Sequence, residues 1–380
     1  MYLSQLEFIE YFNRTNELLI EDFSVNVGKK THKLKDYMEK KNISLDKIEM
    51  IVNHIKNKNE YLSRFFAVSL KILEPPKLRE IEPMKSNEMN NNKLVNYKNI
   101  IRNMFWLDIL KNTKSGFANN PSYLHVLEDL YFNNIIDYKL LTPSAIYYIK
   151  NNRIGSVFSS YYFRASIMNP YLVYSIHKSI VKGSRIFTPT LGWASYCIGF
   201  LESDEVVEYV ATDVIQTVCE KTKEFATINY PNKIVDIYCS PSEDLLLNSE
   251  FINKYTDYFD TVFFSPPYYC LELYEGDQQS TFKYNTYELW LETYWRKTIE
   301  LCQVVLKTGG KLCYILSGYG SKTHSCNKVS FYDLLHDMNA ITDEYFSKID
   351  TQNLYNKNVF VTQSNHRETA EKIIIYENVH

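Results

Sequence analysis

The stretch DTVFFSPPYYCLELYEG, Asp260 to Gly276, runs from apolar residues into two consecutive prolines, with a serine before them and two tyrosines after. Val262, Phe263 and Phe264 read as the end of a buried strand, because β-branched and aromatic residues suit a pleated surface covered on both faces. Pro266 and Pro267 have no backbone N–H to donate, so the chain leaves the sheet there as a stiff extended turn. A rigid turn at the carboxyl end of a buried strand is where open α/β sheets hold their ligands.

Four neighbouring stretches share this texture: KGSRIFTPTLGWASYCIGFL, EVVEYVATDVI, KIVDIYCSPSEDL and GGKLCYILSGYG. Each contains a short apolar run that ends in a polar, glycine or proline turn, with helical spacing between runs. That alternation predicts an α/β fold, a mostly parallel doubly wound sheet whose strands end at Thr188, Asp213, Cys239, Ser265 and Ser317. The N-terminal part reads differently. Residues 1 to about 75 carry apolar residues three and four apart, Pro75 and Pro76 stop the pattern, and an Asn-rich stretch with Pro83 reads as an exposed linker. Further helices are expected over Lys98 to Leu110 and Ser122 to Phe132. The expected division is a mainly helical domain over 1–150 and an α/β domain over 151–380.

Composition narrows the class. With 380 residues and 45% hydrophobic content the chain can bury a large core. No apolar run reaches the roughly 18 residues of a membrane span, and no membrane partner is expected. The seven cysteines lie between Cys197 and Cys326 without a C-x-x-C pair, so they read as reduced thiols in an intracellular protein, cytoplasmic or nuclear, with no metal site. A viral or phage origin stays open, as does the oligomeric state. The net charge of −3 hides an asymmetry: residues 1–150 hold 22 Lys and Arg against 18 Asp and Glu, whereas the rest holds 20 against 27. The basic stretch Lys29 to Lys41 suits either phosphate contact or a solvated helix face.

The ordered series FTPTLGWASYCIGFL, ATDV, CSPSEDL, SPPYY and LKTGGKLCYIL resembles that of the S-adenosylmethionine-dependent amino methyltransferases, which modify exocyclic amino groups of DNA bases. The resemblance covers roughly Tyr161 to Glu377, with the cofactor half before SPPY as in the gamma-type order. It implies a Rossmann-like methyltransferase fold, S-adenosylmethionine as cofactor and a nucleic acid, DNA above all, as partner. It puts Thr188, Pro189 and Gly192 on the cofactor loop, where the family usually has an acidic residue at Thr188 and a second glycine at Ala194. It further implies that Asp213 meets the ribose hydroxyls, that Asp244 or its neighbours meet the adenine, and that Phe163 and Asn169 cover the methionine end.

Ser265, Pro266, Pro267 and Tyr268 are the expected catalytic group. An exocyclic amino nitrogen is a poor nucleophile because its lone pair is delocalised into the ring, so it needs acceptors that draw its protons. The Pro266 carbonyl and the Ser265 oxygen supply two, and Tyr268 can stack on a base that has left the helix. Ring-carbon methylation needs a cysteine nucleophile instead, and Cys270 lies outside a Pro-Cys turn, so it reads as a small apolar residue. Serine ahead of Pro-Pro leans toward cytosine N4 by the family's habit, with adenine N6 open. An RNA amino methyltransferase and a catalytically degenerate binding protein are the rival readings. Trp290 and Trp295, at helical spacing, are expected to pack their helix on the sheet.

Overall fold

The computed structural model describes residues 2–13, 19–72, 76–116, 121–274, 276–317, 333–355 and 371–380. Two compact units emerge, one made of Tyr2–Ile72 with Arg102–Ser166, the other of Leu73–Ile101 with Ile167–His380. The division therefore falls after Ser166 rather than after 150, and the helical unit is interrupted by a segment that belongs to the sheet unit.

In the helical unit, α1 (Gln5–Tyr11) begins at a capping box between Ser4 and Glu7. A small sheet follows, where β1 (Ser24–Val27) pairs antiparallel with β2 (Lys30–Lys33). This hairpin lies inside a region whose spacing reads as helical. The reason is local: Val25 is buried while its neighbours are partly exposed, and Gly28, at φ 63°, opens a two-residue turn. The chain then enters α2 (Leu34–Lys41) and α3 (Leu45–Lys56). In α3 the buried residues Ile48, Ile51, Val52 and Ile55 form one apolar stripe. After α4 (Lys58–Phe65) come α5 (Tyr123–Phe132), capped by Ser122, the strand β3 (Ile135–Asp137) parallel to β1, and α6 (Pro143–Lys150), on which α3 packs.

In the sheet unit, residues 76–101 are packed rather than a free linker. Leu78, Met84 and Met89 are buried, and the backbone N–H groups of Leu78 and Met84 donate to Glu202 and Ser175, far along the chain. After α7 (Pro170–Ile176), the strands are β4 (Arg185–Thr188), β5 (Glu208–Asp213), β6 (Ile234–Cys239), β7 (Phe259–Phe264), β8 (Leu306–Leu316), β9 (Ser347–Asn353) and β10 (Lys372–Glu377). Their spatial order is β9-β10-β8-β7-β4-β5-β6. All neighbours run parallel except β10, which is antiparallel to both β8 and β9. Helices α8 (Ser195–Leu201), α9 (Gln216–Asn229) and α10 (Arg296–Val305) connect strands. This is a Rossmann-like α/β arrangement, and its strand order reverses between β4 and β7, the switch point where such sheets open a crevice.

Three strands end on the expected residue and two stop one residue earlier, at Phe264 and Leu316. Trp290 and Trp295 are fully buried, and the Trp295 ring lies 5.7 Å from Phe264 and 5.3 Å from Tyr314, which seats its helix on β7 and β8. Five cysteines are free thiols, whereas Cys270 is disulfide-bonded and Cys326 lies outside the described residues. The expectation of seven reduced thiols therefore fails at Cys270. Among the described residues no helix is long and apolar enough to cross a membrane, and no group of three or more His, Cys, Asp or Glu could hold a metal.

Candidate functional site

The loop after β4 is shaped by three consecutive left-handed residues, Gly192 at φ 52°, Trp193 at 58° and Ala194 at 64°. A Cβ on Gly192 would lie 2.3 Å from the Tyr196 ring, so glycine is obligatory there. Ala194 keeps the left-handed backbone that a second glycine would take freely, and the loop bears the strain. Thr188 does not reach into this loop with a free group: it is buried and its hydroxyl pairs with the Tyr209 hydroxyl at 2.7 Å. Thr188→Val should therefore cost stability, about 1–3 kcal/mol for the stranded Tyr209 hydroxyl, and leave ligand affinity unchanged. Urea unfolding and calorimetry on one preparation check both halves.

Asp213, at the end of β5, holds the loop directly. One carboxylate oxygen accepts from the Leu191 N–H at 3.1 Å and the other from Ile215 N–H at 3.1 Å. The carboxylate has about four acceptor positions, so it keeps capacity for a further donor. Burial pushes the Asp213 carboxyl up, and the three backbone N–H groups around it pull the other way.

The turn after β7 meets this loop through Tyr196, a residue on α8 that sequence reasoning passed over. Its hydroxyl accepts from the Ser265 N–H at 3.0 Å, while its ring fills the space a Gly192 side chain would need. The Ser265 hydroxyl donates to the Ile315 carbonyl at 3.0 Å. With its only proton directed there, Oγ is left with acceptor capacity alone. The Pro266 carbonyl receives no hydrogen bond among the described residues, and Pro267 gives the turn no N–H.

The two tyrosines diverge. Tyr269, at φ 45°, packs its ring 5.4 Å from both Tyr287 and Trp290, whereas Tyr268 is half-buried with its hydroxyl 3.4 Å from Glu371. Burial and the Glu371 charge hold the Tyr268 phenol well above its usual range, while contact with the Ser265 and Ser317 hydroxyls pulls the other way and brings the phenol to the Ser265 oxygen. Glu371 reaches this edge because antiparallel β10 starts where parallel β8 ends. Cys270 is buried and disulfide-bonded, so it offers no thiol for ring-carbon chemistry.

The structure separates the remaining expected residues. Asp244 is tied to the Lys283 ammonium at 2.8 Å, and its neighbour Glu243 is the buried acid, with Lys283 at 3.4 Å and the Tyr284 hydroxyl at 3.2 Å. Burial raises the Glu243 carboxyl above its usual range. Asn169 caps α7: its side chain accepts from Tyr171 N–H and donates to the Lys93 and Leu94 carbonyls. That leaves its amide committed to the chain's own backbone. Phe163 belongs to the helical unit, bridged to Ser122.

Other residues near the loop carry no local motif. Tyr274 stands 5.7 Å from Trp193, and burial holds both the Tyr274 and the Tyr294 phenols well above their usual range. The Tyr294 hydroxyl, Gln279 Nε2 and Ser195 Oγ are buried with no hydrogen-bond partner among the described residues. Such orphaned groups are rare and call for a ligand or water.

No protein-family model and no curated protein matches the chain. Among solved structures the chain is similar to the N-methyltransferase NodS from Bradyrhizobium japonicum WM9 in complex with S-adenosyl-L-homocysteine, at 11% identity over 55% of this chain and 84% of that one, TM-score 0.34. It is similar to TrmN from Thermus thermophilus at 10% identity, over 56% of this chain and 49% of that one, TM-score 0.36. A methyltransferase from Pyrococcus furiosus aligns at 17% identity over 55% and 83%, TM-score 0.35. The fold itself rests on the strand order above and not on these distant likenesses.

Proposed function

We propose that the protein transfers a methyl group from S-adenosylmethionine to the exocyclic amino group of a base in nucleic acid, cytosine N4 or adenine N6 of DNA. The observation that carries this reading is the Ser265 hydroxyl, whose proton is committed to Ile315, beside the Pro266 carbonyl, to which no donor is bonded among the described residues. Two fixed acceptors side by side suit an amino group with two protons. As its nitrogen turns tetrahedral, both N–H bonds find acceptors that need no reorganisation. Tyr268 offers a half-buried aromatic face next to them.

The residues after β4 and β5 fit the cofactor. Gly192 lets the Tyr196 ring seat against the loop, Asp213 keeps acceptor capacity for a ligand hydroxyl, and the Ser195 and Tyr294 oxygens, without a partner among the described residues, are available to a polar ligand. Bound there, S-adenosylmethionine supplies an electrophilic methyl carbon. The chain's own part is to orient the base, accept its amino protons and keep the loop closed on Asp213. The departures at Thr188 and Ala194 from the family's usual residues are what a degenerate protein would show. Ala194 preserves the loop's backbone shape and Thr188 is occupied with Tyr209, which favours the active reading.

Mass spectrometry of DNA and RNA from cells expressing the protein should detect N4-methylcytosine or N6-methyladenine in DNA. Neither base above the background of an Asp213→Ala strain would sink the reading. In calorimetry Asp213→Ala should bind S-adenosylmethionine about ten- to a hundredfold more weakly, because charge-assisted hydrogen bonds contribute roughly 1.5–3 kcal/mol. The loss includes loosening of the loop at Leu191, so Asp213→Asn, which keeps one acceptor oxygen, should fall between the two.

A further inference from the structure

The helical unit carries a surface that the methyl-transfer reading does not use. Between Lys29 and Lys56 there are eight lysines against four acids, in a chain whose net charge is −3. All eight, Lys29, Lys30, Lys33, Lys35, Lys40, Lys41, Lys47 and Lys56, are exposed, and none forms an ion pair among the described residues. Solvated lysines spread over a surface are ordinary, but here the backbone gathers them on a hairpin and on two helices joined by a three-residue turn.

The turn is well defined. Asn42 ends α2 in the left-handed conformation at φ 51°, Ile43 N–H returns to the Met38 carbonyl at 3.0 Å, and Ser44 precedes α3. Asparagine tolerates that backbone, and the return bond is the Schellman closure. Tyr37 on α2 and Ile48 and Ile51 on α3 are buried, and Ile43 in the turn is half-buried. The opposite side of α3, with Asp46, Lys47, Glu49 and Asn53, is exposed. These are side chains that read base edges: asparagine on adenine, lysine on guanine, a carboxylate on the cytosine amino group.

We infer that α2, its turn and α3, with the β1–β2 hairpin, form a docking surface for double-stranded DNA, the lysines resting on phosphates and the exposed side of α3 facing the major groove. The inference deepens the proposed function, on whose nucleic-acid substrate it rests. Charge complementarity selects the partner, since a duplex presents a regular array of phosphates to a basic helix pair.

The test is binding of the full chain to a labelled 24-base-pair DNA duplex without cofactor, followed by anisotropy across salt concentrations. The triple variant Lys29→Ala, Lys30→Ala, Lys33→Ala should lose about tenfold or more in affinity, and its log-log salt slope should shrink by about 2.7, at 0.9 per phosphate contact. Lys47→Glu, on the helix itself, should lose binding without the hairpin being touched. S-adenosylmethionine affinity and circular dichroism should match wild type in both. Unchanged duplex affinity and slope, or equally tight lysine-dependent binding of an RNA duplex, would overturn the inference. Lysine-dependent duplex binding with no methylated base would sustain this surface and overturn the proposed activity instead. Methylation indifferent to the lysines would do the reverse.

Discussion

Replacing Gly192 by alanine is expected to weaken S-adenosylmethionine binding at least about thirtyfold. Two costs combine. A left-handed backbone costs an L-residue roughly 1–2 kcal/mol, and forcing a methyl group into a filled space costs about 1–3 kcal/mol more, so even the low end of the sum is a thirtyfold change. The new Cβ collides with the Tyr196 ring, and Tyr196 cannot withdraw without releasing the Ser265 N–H. The damage therefore spreads from the loop after β4 to the turn after β7, and methyl transfer should fall further than binding. Ala194→Gly is the matched control: glycine adopts the φ of 64° without strain, so affinity should be equal or tighter. Calorimetry with S-adenosylmethionine and S-adenosylhomocysteine separates the cases, and wild-type affinity in a folded Gly192→Ala protein would remove the loop from the site.

Ser265→Ala and Tyr268→Ala should fail in different steps. Ser265 supplies an acceptor whose benefit peaks in the transition state, so its loss should lower the single-turnover rate by about 10²–10³-fold, the range for one preorganised electrostatic partner. Tyr268 supplies a stacking face, worth roughly 1–3 kcal/mol, so its loss should appear mainly as weaker base capture. On single-stranded DNA, where no base pair must open, Tyr268→Ala should recover in part and Ser265→Ala should not. Cofactor affinity should survive in both, because neither side chain holds the loop at Asp213. Full activity of both variants on every nucleic acid offered would reduce SPPY to a turn.

The sheet was legible because buried parallel strands are short apolar runs closed by turn residues, and Thr188, Asp213 and Cys239 are such closures. The hairpin at Ser24–Lys33 was not, since it is brief, half-exposed and embedded between helical patterns. Residues 76–101 read as a linker because their side chains are polar. They pack because Leu78, Met84 and Met89 insert between hydrogen bonds to partners some 90 to 125 residues away, which spacing does not reveal. The site followed the same rule. Gly192, Asp213 and Ser265 stand in local patterns, whereas Tyr196, Glu243, Tyr294 and Glu371 owe their places to tertiary contacts alone. A signal for Tyr196 existed: it lies four residues after the loop glycine, on the first turn of the helix that follows. Asn169 shows the converse, an asparagine that suits a ligand and serves as a helix cap.

The seating of β10 between β8 and β9 governs how the chain reaches its native state. Residues 372–377 must thread between two strands already synthesised, pairing with β8 partners about 60 residues earlier. Such non-local pairing is slow, because the loop must close before any contact rewards it. Until it happens, β8 shows an open edge of Leu312, Tyr314 and Leu316, and β9 has no neighbour in the sheet. An open apolar edge invites another chain to pair. The outermost strand of the finished sheet, Ser347–Asn353, is polar and exposed along most of its length, so the hazard belongs to the folding chain and ends when β10 locks in.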